Sequence, residues 1–135
     1  MKLYMTYCSG QKDDSLKGTG IEVTPDVLYT SKRRIVPFME MCKEMRVEWA
    51  IFSDLYGVWL HNEKHTWYAK GPDEVSGSEY QWLLNNFNSR LKNYESIYFY
   101  RPSEKMFHSL YRRLVNESEL KDRIVFIQSI VQIRP

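Results

Sequence analysis

Three short segments gather residue types that hold anions or move protons. Cys8-Ser9-Gly10-Gln11-Lys12 sets small residues beside a cation. Consecutive backbone N–H groups in such a stretch form an anion-binding nest, which Lys12 would reinforce. Cys8 is in addition a candidate nucleophile, although no base adjoins it in the chain. The alternative for this segment is a plain strand exit with Lys12 in solvent.

The second segment, Tyr29-Thr30-Ser31-Lys32-Arg33-Arg34, joins hydroxyls to guanidinium groups just ahead of a helical pattern. Free N–H groups at a helix start favour a phosphate or carboxylate. Cations there oppose the helix dipole, so they suit a bound anion better than an isolated helix. Tyr29, Ser31, Arg33 and Arg34 are therefore candidate ligand contacts, with a capping Ser31 and solvated charges as the alternative.

The third segment is Ser53-Asp54-Leu55-Tyr56-Gly57. Ser53 and Asp54 are candidate catalytic groups, Asp54 as a general base or as the orienter of a hydroxyl. Tyr56 would stack on a ring and Gly57 would admit close backbone approach. A tight turn explains the same residues without chemistry. Farther on, Trp67 and Tyr68 would close over a ligand or anchor their loop, and Arg101, at the end of a third apolar run, would join an anion site on the same edge. The two histidines and one glutamate of His61-Asn62-Glu63-Lys64-His65 lack the spacing of a zinc-protease motif, and no metal is expected. Neither the P-loop nor the dinucleotide fingerprint occurs, and no cofactor is expected.

These segments need elements to hold them. Residues 2–8 and Val47 to Phe52 read as buried strands, the second with the continuous apolar run Trp49 to Phe52 that a strand covered on both faces should have. Val58 to Leu60 is a short further piece. An irregular excursion covers 9–30, with Ile21-Glu22-Val23 as a short extended stretch. A helix over about Ser31 to Arg46 carries Ile35, Phe38, Met39, Cys42 and Met45 on one face. Its start lies either at Ser31 or at Pro37, which a first turn tolerates.

Residues 61–77 are polar, and a helix follows from Ser78 to about Tyr94. Ser96 to Tyr100 is a third strand, Ser103 an N-cap for a helix carrying Phe107, Leu110, Tyr111 and Leu114, and Arg123 to Ile133 a last strand. Strands alternating with helices predict a single α/β domain over residues 1–135. The expected form is a Rossmann-like three-layer sandwich on a mainly parallel sheet of about four strands. In such sheets ligands bind beyond the carboxyl ends of the strands, which places all three segments on one edge.

Composition narrows the function classes. With 135 residues and 43% hydrophobic content, the chain can build one sizeable core. A net charge of +2 implies no general field for nucleic acid or membrane, although Lys32-Arg33-Arg34 and Arg112-Arg113 are local basic clusters. No apolar run is long enough for a membrane span and no signal peptide is evident, so a cytoplasmic location is expected. Two cysteines, Cys8 and Cys42, make neither a disulfide framework nor a CxxC site.

Taken together, the motifs resemble a prokaryotic family of unknown function. Its members carry a Cys/Ser-Gly-x-Lys-like stretch, Leu-Tyr-x-Ser with basic residues, and a Trp-x-Ile-x-Ser-x-x-Tyr-Gly strand exit. Here these read Cys8 to Lys12, Leu28 to Arg33 and Trp49 to Gly57, followed by Trp67-Tyr68. Asp54 stands where that pattern has a small or basic residue. The Ser-x-x-Tyr-Gly exit is similar, more distantly, to the peroxide-stress DNA-binding family. The resemblance implies a shared site at the sheet edge for a nucleotide-like or other anionic ligand, and brings no reaction with it.

The expected function is binding of such a ligand by Ser9, Gly10, Lys12, Ser31, Arg33 and Arg34, with Ser53, Tyr56 and Tyr68 meeting a ring or sugar. Action on it would make the protein an enzyme of nucleotide or nucleobase metabolism. Two alternatives stay open: a nucleic-acid-binding module, and a homodimeric or partner-binding subunit with surplus aromatics in an interface.

Overall fold

A computed structural model describes all 135 residues, Met1–Pro135. Its strands are β1 (Lys2–Tyr7), β2 (Trp49–Ser53), β3 (Gly57–Leu60), β4 (Ser96–Tyr100) and β5 (Ile124–Ile127). They form one sheet in the order β3-β2-β1-β4-β5. β1 pairs in parallel with β2 (Tyr4 opposite Trp49) and with β4 (Tyr4 opposite Tyr98), and β4 pairs in parallel with β5. The expected α/β sandwich is present, with one strand more than anticipated. That extra strand is β3, which folds back antiparallel on β2 (Phe52 opposite Val58).

Four helices cover the sheet: α1 (Pro25–Leu28), α2 (Ile35–Met45), α3 (Gly77–Leu91) and α4 (Ser109–Glu117). Alternate residues of β1 serve opposite cores, as the two-residue period requires. Leu3, Met5 and Tyr7 pack with Leu83 and Phe87 of α3 and Tyr111 and Leu114 of α4. Tyr4 and Cys8 pack on the other face with Leu28 of α1 and Phe38 and Cys42 of α2.

The helix boundaries follow local chemistry. α2 begins at Ile35, so neither anticipated start holds and Ser31 does not cap it. Pro37 then sits in the first turn, where its missing N–H would have had no intrahelical partner. α3 starts with a capping box: Ser76 Oγ accepts from Glu79 N at 3.2 Å, and Glu79 Oε1 accepts from Ser76 N at 2.8 Å. Ser103 does not cap α4; it accepts from Met106 N in a preceding turn. The cap is His108, whose Nδ1 accepts from Leu110 N at 3.0 Å. The last strand ends at Ile127, far short of Ile133, because Ser129 opens a short 3-10 turn over Ile130–Gln132 that tucks Ile133 into the core.

Candidate functional site

The chain leaves β1 for β2 on one side and later returns to β4 on the other. The strand order thus reverses between β1 and β4, the position where open α/β sheets place their ligands. Two cavities meet there. The first, about 250 Å³, lies past the ends of β1 and β2 and is lined by Cys8, Ser9, Gly10, Asp54, His108 and Tyr111, with the Lys70-Gly71-Pro72 strap over it. The second, about 390 Å³, lies past β1 and β4 and is lined by Ser9, Ser31, Arg33, Arg34 and Ser103. Tyr7, Ser9 and Met106 line both.

In the first cavity Asp54 is only 3% exposed. Its Oδ1 accepts from the Tyr111 hydroxyl at 2.6 Å, and that hydroxyl lies 3.6 Å from Cys8 Sγ. Burial pushes the Asp54 carboxyl up from the usual carboxylate range, opposed by Tyr111, the Cys8 thiol, Lys12 and His108. Burial and the neighbouring Asp54 push the Cys8 thiol up to about 12. Cys8 is thus a neutral thiol at physiological pH and no activated nucleophile. His108 holds a defined tautomer: with Nδ1 accepting from Leu110, Nε2 carries the proton and donates to Asp73 at 2.7 Å.

The second cavity has a different chemistry. Arg34 turns back on β1, donating from Nη1 to Thr6 Oγ1 at 2.8 Å and to the Tyr7 carbonyl at 2.6 Å, and from Nη2 to the Cys8 carbonyl at 2.9 Å. Its guanidinium lies 3.6 Å from the Tyr7 ring centroid. Three of its five N–H groups are engaged, so two stay free beside the cavity. Ser31 is 9% exposed and its hydroxyl makes no hydrogen bond. Arg33 is exposed at the rim. Cationic donors and hydroxyls therefore face one side of the cleft, and a carboxyl, a phenol and an imidazole face the other.

Other anticipated site residues are engaged elsewhere and line neither cavity. Ser53 Oγ accepts from Leu55 N and Tyr56 N, closing the β2–β3 turn. Tyr56 bonds to Thr66 and stacks on His65 at 4.0 Å, which pins the long loop. Gly57 adopts φ +75° against Asn86. Tyr29 and Tyr68 share a buried hydroxyl pair at 2.5 Å, and Lys12 Nζ stands 4.3 Å from the Tyr68 ring. Burial pulls the Lys12 pKa down, opposed by Cys8 and Asp54. Arg101 lies over Phe126 at 3.8 Å. His61 bonds to Glu48 and Glu63 to Arg90, so the residues of the His61–His65 stretch take separate structural tasks.

Sequence reasoning passed over Tyr7, Lys70, His108 and Tyr111. Tyr111 read as core, since its ring does pack there; only its hydroxyl reaches the site. Lys70, Gly71 and Pro72 fall in the polar stretch 61–77, and nothing local indicates that they line the cavity past β1. Compared with known proteins, the chain matches no family model, no curated protein and no solved structure.

Proposed function

We propose that this protein binds a nucleotide-like or related anionic ligand in the cleft at the carboxyl edge of its sheet. One observation carries the reading: two cavities of opposite character share Tyr7, Ser9 and Met106 across the end of β1, at the point where the strand order reverses. The anionic group sits among Ser9, Ser31, Arg33, Arg34 and Ser103. Arg34 is held in place by β1 before any ligand arrives, so its free N–H groups need little reordering to bind. The ligand's neutral part enters the cavity of Asp54 and Tyr111. The motif resemblance around Cys8 and Ser31 supports a site at this same edge.

Thermal unfolding against nucleotides, nucleobases, sugar phosphates and short single-stranded DNA and RNA tests the reading, with wild type beside Arg33→Ala. A ligand that binds only the folded state raises the melting temperature. A small-molecule shift that disappears in the variant is the expected result. A shift confined to oligonucleotides and lost in high salt would replace the pocket with a nucleic-acid surface. No shift with any compound would refute both and leave a protein partner.

A further inference from the structure

Within the anion-binding reading, on which this inference rests, the Asp54 end of the cleft constrains the neutral part of the ligand. We infer that it is a 2-amino-4-oxopyrimidine edge, the edge shared by guanine and pterin rings, held by its ring N–H and exocyclic amino group on the Asp54 carboxylate.

The geometry supports this in three ways. Asp54 is nearly enclosed and lines the 250 Å³ cavity, yet it takes one strong hydrogen bond only, from Tyr111 to Oδ1. Its second oxygen accepts no hydrogen bond from an N–H or O–H group of the chain, and the weakly donating Cys8 thiol stands near the carboxyl. A carboxylate in that state seeks two donors in a plane, and an adjacent ring N–H and amino group supply them at the spacing of its two oxygens.

The surroundings reject the alternatives. An adenine-type edge would bring a ring-nitrogen lone pair against the carboxylate oxygens, and a uracil-type edge would bring a carbonyl. Each leaves a buried acceptor facing another acceptor, which costs far more than the loss of one bond. Neither nearby ammonium hydrogen-bonds Asp54 in the ligand's place: Lys70 donates to Glu79 at 2.6 Å, and Lys12 acts on the carboxyl through its charge alone. His108 has its Nε2–H committed to Asp73 and its Nδ1 to Leu110. The carboxylate is therefore left for the ligand, and the phosphate end falls toward Ser31 and Arg33 on the far side of Tyr7 and Met106.

Isothermal titration calorimetry on the full chain tests the assignment with guanosine, adenosine, xanthosine and neopterin monophosphates, for wild type and Asp54→Asn. Wild type is expected to favour the guanosine or the neopterin compound over adenosine monophosphate, and the tighter of the two names the ring system. Asp54→Asn retains the acceptor for Tyr111 but turns one carboxyl oxygen into a donor. It should lose roughly 10- to 100-fold for the preferred compound, the factor for disrupting a charge-assisted pair. It should also gain affinity for xanthosine monophosphate, whose 2-oxo group accepts from the new amide, a gain that a purely structural Asp54 would not produce. Equal binding of adenosine and guanosine monophosphates, or an unchanged profile in Asp54→Asn, overturns the edge assignment and leaves the anion site standing. Absence of binding by all four phosphates overturns the anion site as well.

Discussion

Replacing Gly57 by alanine tests how the β2–β3 hairpin is held against α3. Gly57 has φ +75°, and a Cβ built there lies 2.3 Å from Asn86 Oδ1 and 2.7 Å from its Cγ. Both contacts are far inside van der Waals distance, so the Asn86 side chain must rotate away. In doing so it abandons the Val58 N–H, which now donates to Oδ1 at 2.8 Å and belongs to a residue 1% exposed. An unsatisfied buried amide costs about 1–3 kcal/mol. The left-handed backbone adds about 1–2 kcal/mol for a residue with a Cβ. Gly57→Ala should therefore destabilise by about 2–5 kcal/mol, or on the order of 10 °C in melting temperature for a chain of this size. Urea unfolding followed by tryptophan fluorescence measures it. Asn86→Ala alone loses the Val58 bond, and the double variant loses that bond only once. Its destabilisation should thus fall short of the sum of the singles by about 1–3 kcal/mol. Additive singles, or Gly57→Ala within about 0.5 kcal/mol of wild type, would refute the Asn86 clasp.

Four further outcomes follow from the same geometry. Arg34→Met removes three donors from Thr6 and the carbonyls of Tyr7 and Cys8, and should cost about 2–4 kcal/mol in urea unfolding; a loss below about 1 kcal/mol would mean water replaces it freely. Arg33→Ala, at an exposed position, should leave stability within about 0.5 kcal/mol and affect ligand-induced stabilisation alone. The Asp54 carboxyl is raised by burial in the fold, so its contribution is complete below the unfolded carboxylate pKa and is lost as pH rises through the folded value. Asp54→Asn should accordingly gain stability relative to wild type from pH 4 to pH 8, and a gap that widens toward acid would contradict that sign. Native Cys8, with its thiol pushed up to about 12, should resist iodoacetamide at pH 7.5 until urea unfolds the chain; labelling of the folded protein at the unfolded rate would show an open site.

Much of the fold was legible because local periodicity carries it. The largely apolar run of Leu3 to Cys8 and the uninterrupted apolar run of Trp49 to Phe52 mark strands buried on both faces, and the strands lie over those residues. The helical face of Ile35, Phe38, Met39 and Cys42 is likewise buried as read. Boundaries were less legible wherever a cap decides them. Ser103 is a better cap by residue type than His108, yet the turn around Met106 consumes it. The isoleucines and valines after Ile127 look like strand, but Ser129 and Gln132 close a turn among them.

The site divides along the same line. Residue type, with position after a strand for Cys8, Ser9, Gly10 and Asp54 and ahead of a helix for Ser31, Arg33 and Arg34, identified residues that all line the two cavities. Tyr29, Ser53, Tyr56, Gly57 and Tyr68 have the same outward signs, but their hydroxyls, rings and backbone are taken up by one another and by the long loop. The chain by itself determined which segments are strands and helices and that polar strand exits share one sheet edge, because those follow from short-range spacing. Only the tertiary structure decided that Arg34 is anchored on β1, that Tyr111 reaches Asp54 across 57 positions and that Lys70–Pro72 lines the same cavity as Tyr111 and Asp54. Such pairings depend on how helices pack over the sheet, and no local pattern encodes the partner of a side chain that far along the chain.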